Sequence, residues 1–512
     1  MTGQGCGQSR AILSPGCLQS ARLLGVNKKR RFVRVSHVAP DVEIVPFNHK
    51  FSTLDRAVKE RVFAVKCGDG FGPPPKPAPG VFERRMENFR SSLIPLLPST
   101  APWSYRQFVD SYSGRKKQVY EQALEDLRSG RSDVKEDAKV KVFVKYEKTD
   151  RTTKRDPVPR VISPRDTKFN LRIGRYIKML EHRIFRSIDR LFGHATVIKG
   201  YDAEVSAKLL FEKWNHFNDP VAVGLDASRF DQHVSLDALK FEHSIYPLCL
   251  RHATHRNKLT KLLEYQLHNH CSGYANDGKL KYSIEGTRMS GDMNTSLGNC
   301  ILMCGLIWSY ANHKGVRVML ANNGDDCVVF MERRDLARFS EGLKTWFVEM
   351  GFNMAVEEPV FEFEQLEFCQ TKPVWDGGVY VMCRNPFTAI AKDSVMLKPW
   401  SGEKFFRGWL DAVGTGGLAM AGGMPIFQNF YRLFVRSGER RKMPDDMLSW
   451  SIKQSLNLKR GFRPVQPETR FSFWLAFGVT PDEQICIEKY YDGLELTSVV
   501  GGYCPRTVFP DG

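Results

Sequence analysis

The stretch "NNGDDCVVF", residues 322 to 330, decides the fold prediction. It places two adjacent carboxylates, Asp325 and Asp326, behind a glycine and between the apolar runs "VRVML" (316 to 320) and "CVVFM" (327 to 331). Two such runs joined by a short glycine-containing loop are typical of a β-hairpin. The sequence therefore predicts a hairpin that carries two negative charges at its tip.

A third carboxylate, Asp226, lies about 100 residues upstream, directly after the apolar run Val221 to Leu225. That run is typical of a buried strand. Between strand and hairpin, residues from about 294 to 310 are apolar enough for a buried helix, in which Cys300 and Cys304 are predicted core residues. If strand and hairpin share a sheet, Asp226 and Asp325 meet at one edge of it.

Carboxylates gathered at strand ends suit a metal site. Mg²⁺ prefers oxygen ligands and usually takes one or two carboxylates together with substrate phosphates. Two such ions, about 4 Å apart, clamp the attacking and leaving oxygens of an in-line phosphoryl displacement. The aspartates therefore predict a metal socket for a polyanionic substrate.

The bulk composition agrees with a folded protein that has a polyanionic partner. Lys and Arg outnumber Asp and Glu by 75 to 57, giving a net charge of +18, which favours nucleic acid or an anionic membrane face. Hydrophobic residues at 42% and charged residues at 26% argue against wholesale disorder. The 12 cysteines form no CxxC pair, so we expect no structural zinc and a reducing compartment. No secretory signal and no membrane-length apolar run is visible.

Residues 1 to about 80 look irregular, and the proline-rich "GDGFGPPPKPAPG" (68 to 80) predicts an extended linker or a strap over a surface. The basic cluster at 28 to 34 is either a nucleic-acid patch, a localisation signal or a solvated charge run. Helical patterns from about 90 to 215 surround a strand at 139 to 148, in which valine alternates with lysine. Helices return beyond about 385, and we expect the glycines at 414 to 425 to break them.

The stretch "SGDMNTSLGN", residues 290 to 299, fits the pattern S-G-x3-T-x3-N. Ser290 and Gly291 suit a flexible turn at a helix start, where free N–H groups and a hydroxyl can meet a phosphate or a base edge. Thr295 and Asn299 are four residues apart and so share a helix face. Asn299 can hydrogen-bond to a ribose hydroxyl.

Together, D-x4-D at 226 to 231, the S-G-x3-T-x3-N pattern and GDD at 324 to 326 resemble motifs A, B and C of RNA-dependent RNA polymerases of positive-strand RNA viruses. The resemblance covers about residues 85 to 490. Flanking segments look like the tombusvirus and umbravirus group of plant viruses: "KRDPVPRVISPRD" (154 to 166), "DASRFDQHV", "GTRMSGDMNTSLGN", "LEFCQTKPV" (366 to 374) and "FSFWLAFGVTPDEQ" (471 to 484).

The resemblance implies an α+β fold of the right-hand polymerase type, with fingers, palm and thumb and an antiparallel palm sheet flanked by helices. The implied divisions are an N-terminal extension with a Pro-rich linker (1–85), fingers (86–215, with motif F at about 139–166), palm with some fingers segments (216–385) and thumb (386–512).

The resemblance also implies roles for the acidic and polar residues. Asp226 and Asp325 would be catalytic ligands of two Mg²⁺ ions, which Mn²⁺ could replace, and Asp326 would be a weaker or indirect ligand. Asp231 and Asn299 would form a hydrogen-bonded pair that reads the 2′-OH of the incoming ribose. The remaining nucleotide-binding positions of that motif would be Ser290, Gly291 and Thr295.

Basic residues would bind the phosphates. By resemblance to motif F, Lys145, Arg160 and Arg165 are expected to contact the triphosphate, because guanidinium groups suit phosphate oxygens. Weaker candidates are Arg155 and Lys148. The RNA template backbone would be bound by Arg115, Lys116 and Lys117, unless these form plain surface.

Two positions near the end of the palm need comment. Cys369 lies in the stretch that resembles motif E, where we expect it to pack rather than act as a nucleophile. Many such polymerases place a lysine after motif C as general acid, but no lysine occurs between Lys344 and Lys372. Either Lys344 serves from an unusual position, or another donor or water does.

The implied function is that of a viral RNA-directed RNA polymerase, which transfers a nucleotide from an NTP to an RNA 3′-OH with release of pyrophosphate. A basic RNA chaperone or coat-like protein is the alternative outside enzymes; a reverse transcriptase is disfavoured by Asn323, Gly324 and Asn299. Implied partners are template and nascent RNA, NTPs, a replication-associated protein from an upstream frame, and host factors. Membranes would be reached indirectly, in replication complexes of the host cytoplasm.

Overall fold

The computed structural model describes residues 18–25, 30–35, 38–39, 42–397, 402–440 and 460–496, together with the backbone of 503–507. Within these residues the strands, numbered along the chain, are β1 (Leu18–Arg22), β2 (Arg31–Val35), β3 (Ile44–Val45), β4 (Val65–Cys67), β5 (Gly70–Gly72), β6 (Val140–Val144), β7 (Thr149–Asp150), β8 (Val161–Ile162), β9 (Pro220–Ala227), β10 (His268–Ala275), β11 (Gly278–Glu285), β12 (Met319–Asn323), β13 (Asp326–Glu332), β14 (Met354–Val356), β15 (Thr371–Trp375), β16 (Tyr380–Arg384), β17 (Val395–Met396) and β18 (Tyr503–Thr507).

The helices of the same residues are α1 (Phe51–Val58), α2 (Val81–Leu93), α3 (Tyr105–Asp110), α4 (Gly114–Arg128), α5 (Val134–Asp137), α6 (Thr167–Phe192), α7 (Ala203–Trp214), α8 (Phe230–His233), α9 (Leu236–Leu248), α10 (Ala253–Glu264), α11 (Thr295–Lys314), α12 (Leu336–Ser340), α13 (Leu343–Glu349), α14 (Pro386–Asp393), α15 (Glu403–Ala421), α16 (Phe427–Ser437), α17 (Pro467–Phe477) and α18 (Pro481–Gly493). None of these helices is both long and apolar enough to cross a bilayer.

A four-stranded antiparallel sheet, which we call the central sheet, has the strand order β12-β13-β9-β14. On β9, alternate side chains point to opposite faces, so that Val221, Val223 and Leu225 enter one core and Ala222 another. The predicted strand and hairpin are confirmed. The first hairpin strand lies three residues later than predicted, because its pairing with β13 starts at the turn and runs back to Met319.

Helices cover the central sheet on one face, and a helix and a hairpin cover part of the other. On the first face, α11 packs with α2, α6 and α9 around one large core. Cys300 and Cys304 of α11 are fully buried there, which confirms them as core residues. On the second face, α7 and the β15–β16 hairpin pack against β9 and β13. The carboxyl end of β9 and the β12–β13 turn therefore lie beyond this second layer.

A second, five-stranded sheet has the order β1-β11-β10-β6-β8. The predicted alternation on β6 is confirmed: Val140, Val142 and Val144 are buried, while Phe143 is 41% exposed. The three valines pack against Leu54 of α1. The N-terminal segment thus contributes a helix to the core beneath this sheet.

The interpretation of the first 80 residues as irregular is wrong for the part that the structure describes. β1 pairs with β11, and β2 pairs with β17 and β18, so the segment joins strands far along the chain. The proline-rich stretch is extended, and Pro75 and Pro77 lie against Gly351, as expected of a strap over a surface. These strands escape sequence reasoning because their partners lie more than 200 residues away.

The glycines of 414 to 425 do not break the helix where we expected. α15 continues to Ala421 and ends before Gly422 and Gly423. A Cβ at Gly414 would lie 2.7 Å from the carbonyl oxygen of Tyr431, and one at Gly417 would lie 2.2 Å from the Tyr431 ring. The glycines are therefore where α15 and α16 touch, and the close packing of the two helices requires them.

Candidate active site

The β12–β13 hairpin turns through two residues, Gly324 and Asp325, because Asn323 pairs directly with Asp326. Gly324 has a φ of 85°, which suits the first central position of a type II′ turn. The buried Asn322 fixes this turn: its Nδ2 donates to the carbonyl oxygen of Gly324 at 2.8 Å, and its Oδ1 accepts from the Gly324 N–H at 3.1 Å. The turn holds Asp325 at an exposed tip.

The structure brings the three aspartates together. Asp226 pairs in register with Asp326 on the neighbouring strand, so the two side chains share a face of the sheet. The N–H of Ala227 donates to the carbonyl oxygen of Asp325 at 3.5 Å. Burial, and then the charge of Asp325, raises the pKa of the Asp226 carboxyl above its ordinary value. The predicted convergence of Asp226 with the hairpin is confirmed.

The Asp326 carboxylate accepts a hydrogen bond from the backbone just before β15. Its Oδ2 accepts from the N–H of Cys369 at 2.9 Å. Burial raises the pKa of the Asp326 carboxyl to about 6, and the charges of Asp226 and Asp325 add to this. Burial also raises the pKa of the Cys369 thiol to about 12, so this cysteine is no thiolate at neutral pH and packs as expected.

A fourth carboxylate, Glu357, was missed by the sequence reasoning. It lies over Gly224, where a Cβ would come within 2.0 Å of its Oε2, and Gly224 shares a strand face with Asp226. Burial, then Glu367 and then Asp226, raises the pKa of Glu357. Only the glycine at 224, in an otherwise bulky strand, hints at this close approach. Among the described residues, no group of three or more His, Cys, Asp or Glu side chains is arranged so that it could hold a metal ion by itself.

Asp231 and Asn299 form the hydrogen bond that the resemblance implied: Asn299 Nδ2 donates to Asp231 Oδ1 at 3.0 Å. A buried arginine that we had not singled out fixes the amide, because Arg288 Nε donates to Asn299 Oδ1 at 3.0 Å. Arg288 in turn forms a fully buried ion pair with Glu242. Its place in "GTRMSG", just before the S-G pattern, was the signal available in the sequence.

Ser290 and Gly291, at the start of the S-G-x3-T-x3-N pattern, pack against the loop that contains Ser163 and Pro164 and do not form a free turn. Ser290 Oγ accepts from the Ser163 N–H at 3.2 Å, and a Cβ at Gly291 would lie 2.5 Å from the Cα of Pro164. Thr295 Oγ1 donates to the carbonyl oxygen of Met289 at 2.9 Å, at the first residue of α11. The close backbone approach at Gly291 joins the predicted motif B to the predicted motif F.

Arg165 does not face the site, which corrects its prediction as a triphosphate ligand. Its side chain is 1% exposed and pairs with Asp292, with Nε to Oδ1 at 2.6 Å. It also donates to the carbonyl oxygens of Ala138 and Tyr265 and to Asn269. A guanidinium satisfied by four internal partners holds the loop in place and has no donors left for phosphate.

The other two candidates for contacting the triphosphate, Lys145 and Arg160, are accessible to solvent and share Glu147 as their counter-ion. Lys145 Nζ lies 2.8 Å from Glu147, and Arg160 lies 3.3 Å from the same carboxylate. The weaker candidate Lys148 is turned inward: its Nζ donates to the carbonyl oxygen of Lys392, and burial lowers its pKa to about 8. Arg155 is exposed.

Lys154 is a basic residue that the sequence reasoning passed over. It is exposed, and its charge is the one that lowers the pKa of Asp226, against the effects of burial and of Asp325. Lys344, the candidate general acid, is exposed on α13 and has no such effect on Asp226. Lys154, unlike Lys344, therefore has an electrostatic influence on Asp226.

The three predicted template residues open helix α4. Arg115 is exposed, Lys116 Nζ lies 4.6 Å from the centre of the Tyr112 ring, and Lys117 Nζ lies 2.9 Å from Asp110. They form one basic helix end, in which Arg115 makes no contact of this kind with any residue that the structure describes.

Comparisons with known proteins identify the group to which these residues belong. The family model described as viral RNA dependent RNA polymerase matches residues 17–499. Three similar proteins are named RNA-directed RNA polymerase: that of Oat chlorotic stunt virus (isolate United Kingdom), 56% identical over 100% of this chain; that of Tobacco necrosis virus (strain A), 42% over 92%; and that of Turnip crinkle virus, 40% over 92%.

This chain spans 71%, 65% and 60% of the lengths of those three relatives. The resemblance to polymerases of the tombusvirus group is confirmed by these matches. The chain belongs to the family of viral RNA-dependent RNA polymerases.

Proposed function

We propose that the chain catalyses template-directed transfer of a nucleoside monophosphate from an NTP to an RNA 3′-OH, releasing pyrophosphate, to replicate a positive-strand RNA genome. The observation that carries the proposal is the pairing of Asp226 with Asp326, with Asp325 at the tip of the adjoining turn. Burial raises the pKa values of Asp226 and Asp326, the charges of neighbouring aspartates add to this, and a bound cation would offset both effects. Family membership supports the same reaction.

The donor set fits Mg²⁺ in its chemistry, because this ion prefers carboxylate oxygens and usually takes one or two of them together with phosphates and water. Asp226 and Asp325 would hold two ions, Asp326 would contribute less because Cys369 occupies one of its oxygens, and Mn²⁺ is a chemically similar substitute. When bound, the ions would lower the pKa of the attacking hydroxyl and offset charge on the leaving group.

Asn299 would select ribose. Its Oδ1 accepts a hydrogen bond from Arg288, and one of its two amide N–H groups donates to Asp231. The second amide N–H therefore remains to donate to a ribose hydroxyl. Arg288 thus fixes which end of the amide faces Asp231. A deoxyribose would leave that N–H unpaired, which disfavours dNTPs.

Lys145 and Arg160 would bind the triphosphate by exchanging Glu147 for phosphate oxygens. We assign to Lys154 the triphosphate contact that the resemblance implied for Arg165. Lys154 is exposed, and its positive charge lowers the pKa of Asp226. Phosphate contacts of this kind ease departure of pyrophosphate. The general acid stays unassigned between Lys344, another donor and water.

We further propose the right-hand arrangement, with the central sheet as palm, and α4 as a contact for the template backbone. The replication-associated protein from an upstream frame, host factors and membrane-associated replication complexes of the host cytoplasm are proposed on family grounds alone.

Incorporation of labelled NTP on an RNA template with Mg²⁺ tests the reaction. Wild type and the control Asp69→Asn, at an exposed turn, should incorporate label, and Asp325→Ala should not. Equal incorporation by wild type and Asp325→Ala would overturn the proposal and leave RNA binding as the function.

A further inference from the structure

A pocket of about 610 Å³ that is wide open to solvent lies between α7, the β15–β16 hairpin and α17, and none of its lining residues belongs to the candidate active site. Four aromatic side chains and two carboxylates line it: Phe211, Trp375, Tyr380, Phe471, Glu364 and Glu468. An aromatic, acidic pocket is unusual in a chain with a net charge of +18.

The aromatic rings that line the pocket pack against one another. The Tyr380 ring centre lies 4.9 Å from that of Phe211 and 5.1 Å from that of Trp375. Phe471, on α17, is 54% exposed at the rim. Side chains on three different elements thus present ring faces and edges to one space.

The base of the pocket is a carboxylate fixed in position. Glu364 is 8% exposed, and its Oε1 accepts from Tyr380 OH and from Ser472 Oγ, each at 3.1 Å. Ser472 is itself set by the N–H of Trp375, which donates to its Oγ at 2.8 Å. These bonds orient one carboxylate oxygen and leave Oε2 without a donor among the residues that the structure describes.

No Lys or Arg of the described part of the chain forms an ion pair with Glu364 or with Glu468, the exposed carboxylate at the rim. By contrast, Asp376 next to this pocket is bound by both Arg460 and Arg463. A buried carboxylate is costly unless a cation or sufficient donors accompany it. Glu364 is thus a nearly buried carboxylate that is held by two hydroxyl donors on one oxygen and has no cationic partner among the described residues.

We propose that this pocket binds an arginine side chain of a partner protein, with the guanidinium between the aromatic rings and donating to Glu364. Guanidinium groups are planar, stack on aromatic rings and donate in a fixed fork, which suits these walls better than a compact ammonium. The pocket is wide and open enough to admit such a side chain from solvent.

The charges of the pocket exclude RNA and disfavour a second copy of this chain. Glu364 and Glu468 would repel phosphates, so the pocket is not an extension of the RNA path. Two copies with a charge of +18 each repel one another, which favours a different protein as the source of the arginine. The proposal does not depend on the polymerase reaction.

The probe for this site is N-acetyl-arginine N-methylamide, with the uncharged and nearly isosteric citrulline compound as control. The full chain is labelled with 5-fluorotryptophan, and the ¹⁹F resonance of Trp375 is assigned by its loss in Trp375→Phe. We expect the arginine compound to shift this resonance and the citrulline compound to leave it unchanged. Glu364→Gln should weaken the apparent affinity by about tenfold, as for loss of a charge-assisted hydrogen bond.

The exposed rim residue offers a variant that does not endanger folding. Phe471→Ser should weaken binding of the arginine compound several-fold, whereas Phe387→Ser, an exposed phenylalanine of α14 that does not line the cavity, should leave it unchanged. Equal shifts with arginine and citrulline, unchanged affinity in Glu364→Gln and Phe471→Ser, or a shift caused by an RNA oligonucleotide would each overturn the proposal. Self-association of wild type that Glu364→Gln abolishes would overturn the choice of a different protein.

Discussion

Asp226 and Asp326 stand directly opposite each other on neighbouring antiparallel strands, on the same face of the central sheet. Two carboxylates in this position repel each other, and Asp325 adds a third charge from the turn. A protein keeps such an arrangement when a cation occupies it. The stability of the chain should therefore depend on divalent cations in a way that reports on these residues.

Mg²⁺ should raise the melting temperature of wild type, and Asp226→Asn should remove most of that increase. At about 100 times its dissociation constant, a ligand that binds only the folded state stabilises it by about 3 kcal/mol. Without Mg²⁺, Asp226→Asn should be more stable than wild type, since it relieves repulsion. Differential scanning calorimetry with and without Mg²⁺ measures both effects, and Asp69→Asn is the control. An unchanged Mg²⁺ increment in Asp226→Asn would remove this residue from the metal site.

Asn299→Ala should lower discrimination between rNTP and dNTP by about tenfold while slowing overall extension less, because a single hydrogen bond to the ribose is lost. Competing incorporation of ATP and dATP opposite one template base measures the ratio. The matched control is Asn312→Ala on the same helix, since Asn312 is exposed and donates only to the carbonyl oxygen of Trp308. Selectivity that survives in Asn299→Ala would mean that another group reads the sugar.

Arg165→Ala and Arg160→Ala should fail in different ways. Removing Arg165 leaves Asp292 buried without its ion-pair partner, which costs about 3 to 5 kcal/mol of unfolding free energy. Arg160 is 58% exposed, so Arg160→Ala should unfold like wild type but show a raised KM for NTP. Urea denaturation and steady-state kinetics separate the two. If Arg165→Ala is stable and only its KM rises, Arg165 does contact the nucleotide.

Among the basic residues at the start of α4, Arg115 should contribute most to RNA binding. Lys117 is paired with Asp110, and Lys116 lies over Tyr112, whereas Arg115 is exposed. Arg115→Gln should reduce the slope of log affinity against log salt by about one, as one fewer counter-ion is released. The control is Lys208→Gln on α7, whose side chain is 75% exposed. An unchanged slope in Arg115→Gln would assign this helix end to plain surface.

Local patterns predicted the central sheet well, because its signals lie within a few residues of one another. The glycine before Asp325 marks the turn, and continuous apolar runs mark β9 and the two hairpin strands, just as alternation marks β6 in the second sheet. The meeting of Asp226 with the hairpin was predicted from the strand ends, whereas the pairing of Asp231 with Asn299 came from the resemblance. The structure supplies the register of the first and the hydrogen bond of the second.

The errors involve contacts between residues far apart in the chain. The sequence around Arg165 gives no sign that this arginine forms a buried ion pair with Asp292, which is 127 residues later in the chain. The glycines at 414 and 417 were expected to break a helix, because the sequence does not show that they pack closely against Tyr431 on another helix. Glu357 was missed for the same reason, because it lies far along the chain from Gly224 and Asp226. Arg288 is only 11 residues from Asn299, and its place in "GTRMSG" was a signal that the sequence reasoning did not use.

The central claim is that Asp226 and Asp325 support template-directed, Mg²⁺-dependent nucleotide transfer. Single-nucleotide incorporation on four templates that differ in one base tests it most directly. The account predicts that each template selects its complementary NTP, and that Asp226→Asn and Asp325→Asn each lower the rate by roughly a thousandfold without unfolding the chain. Incorporation that ignores the template base, or that proceeds at the wild-type rate in both variants, would contradict it.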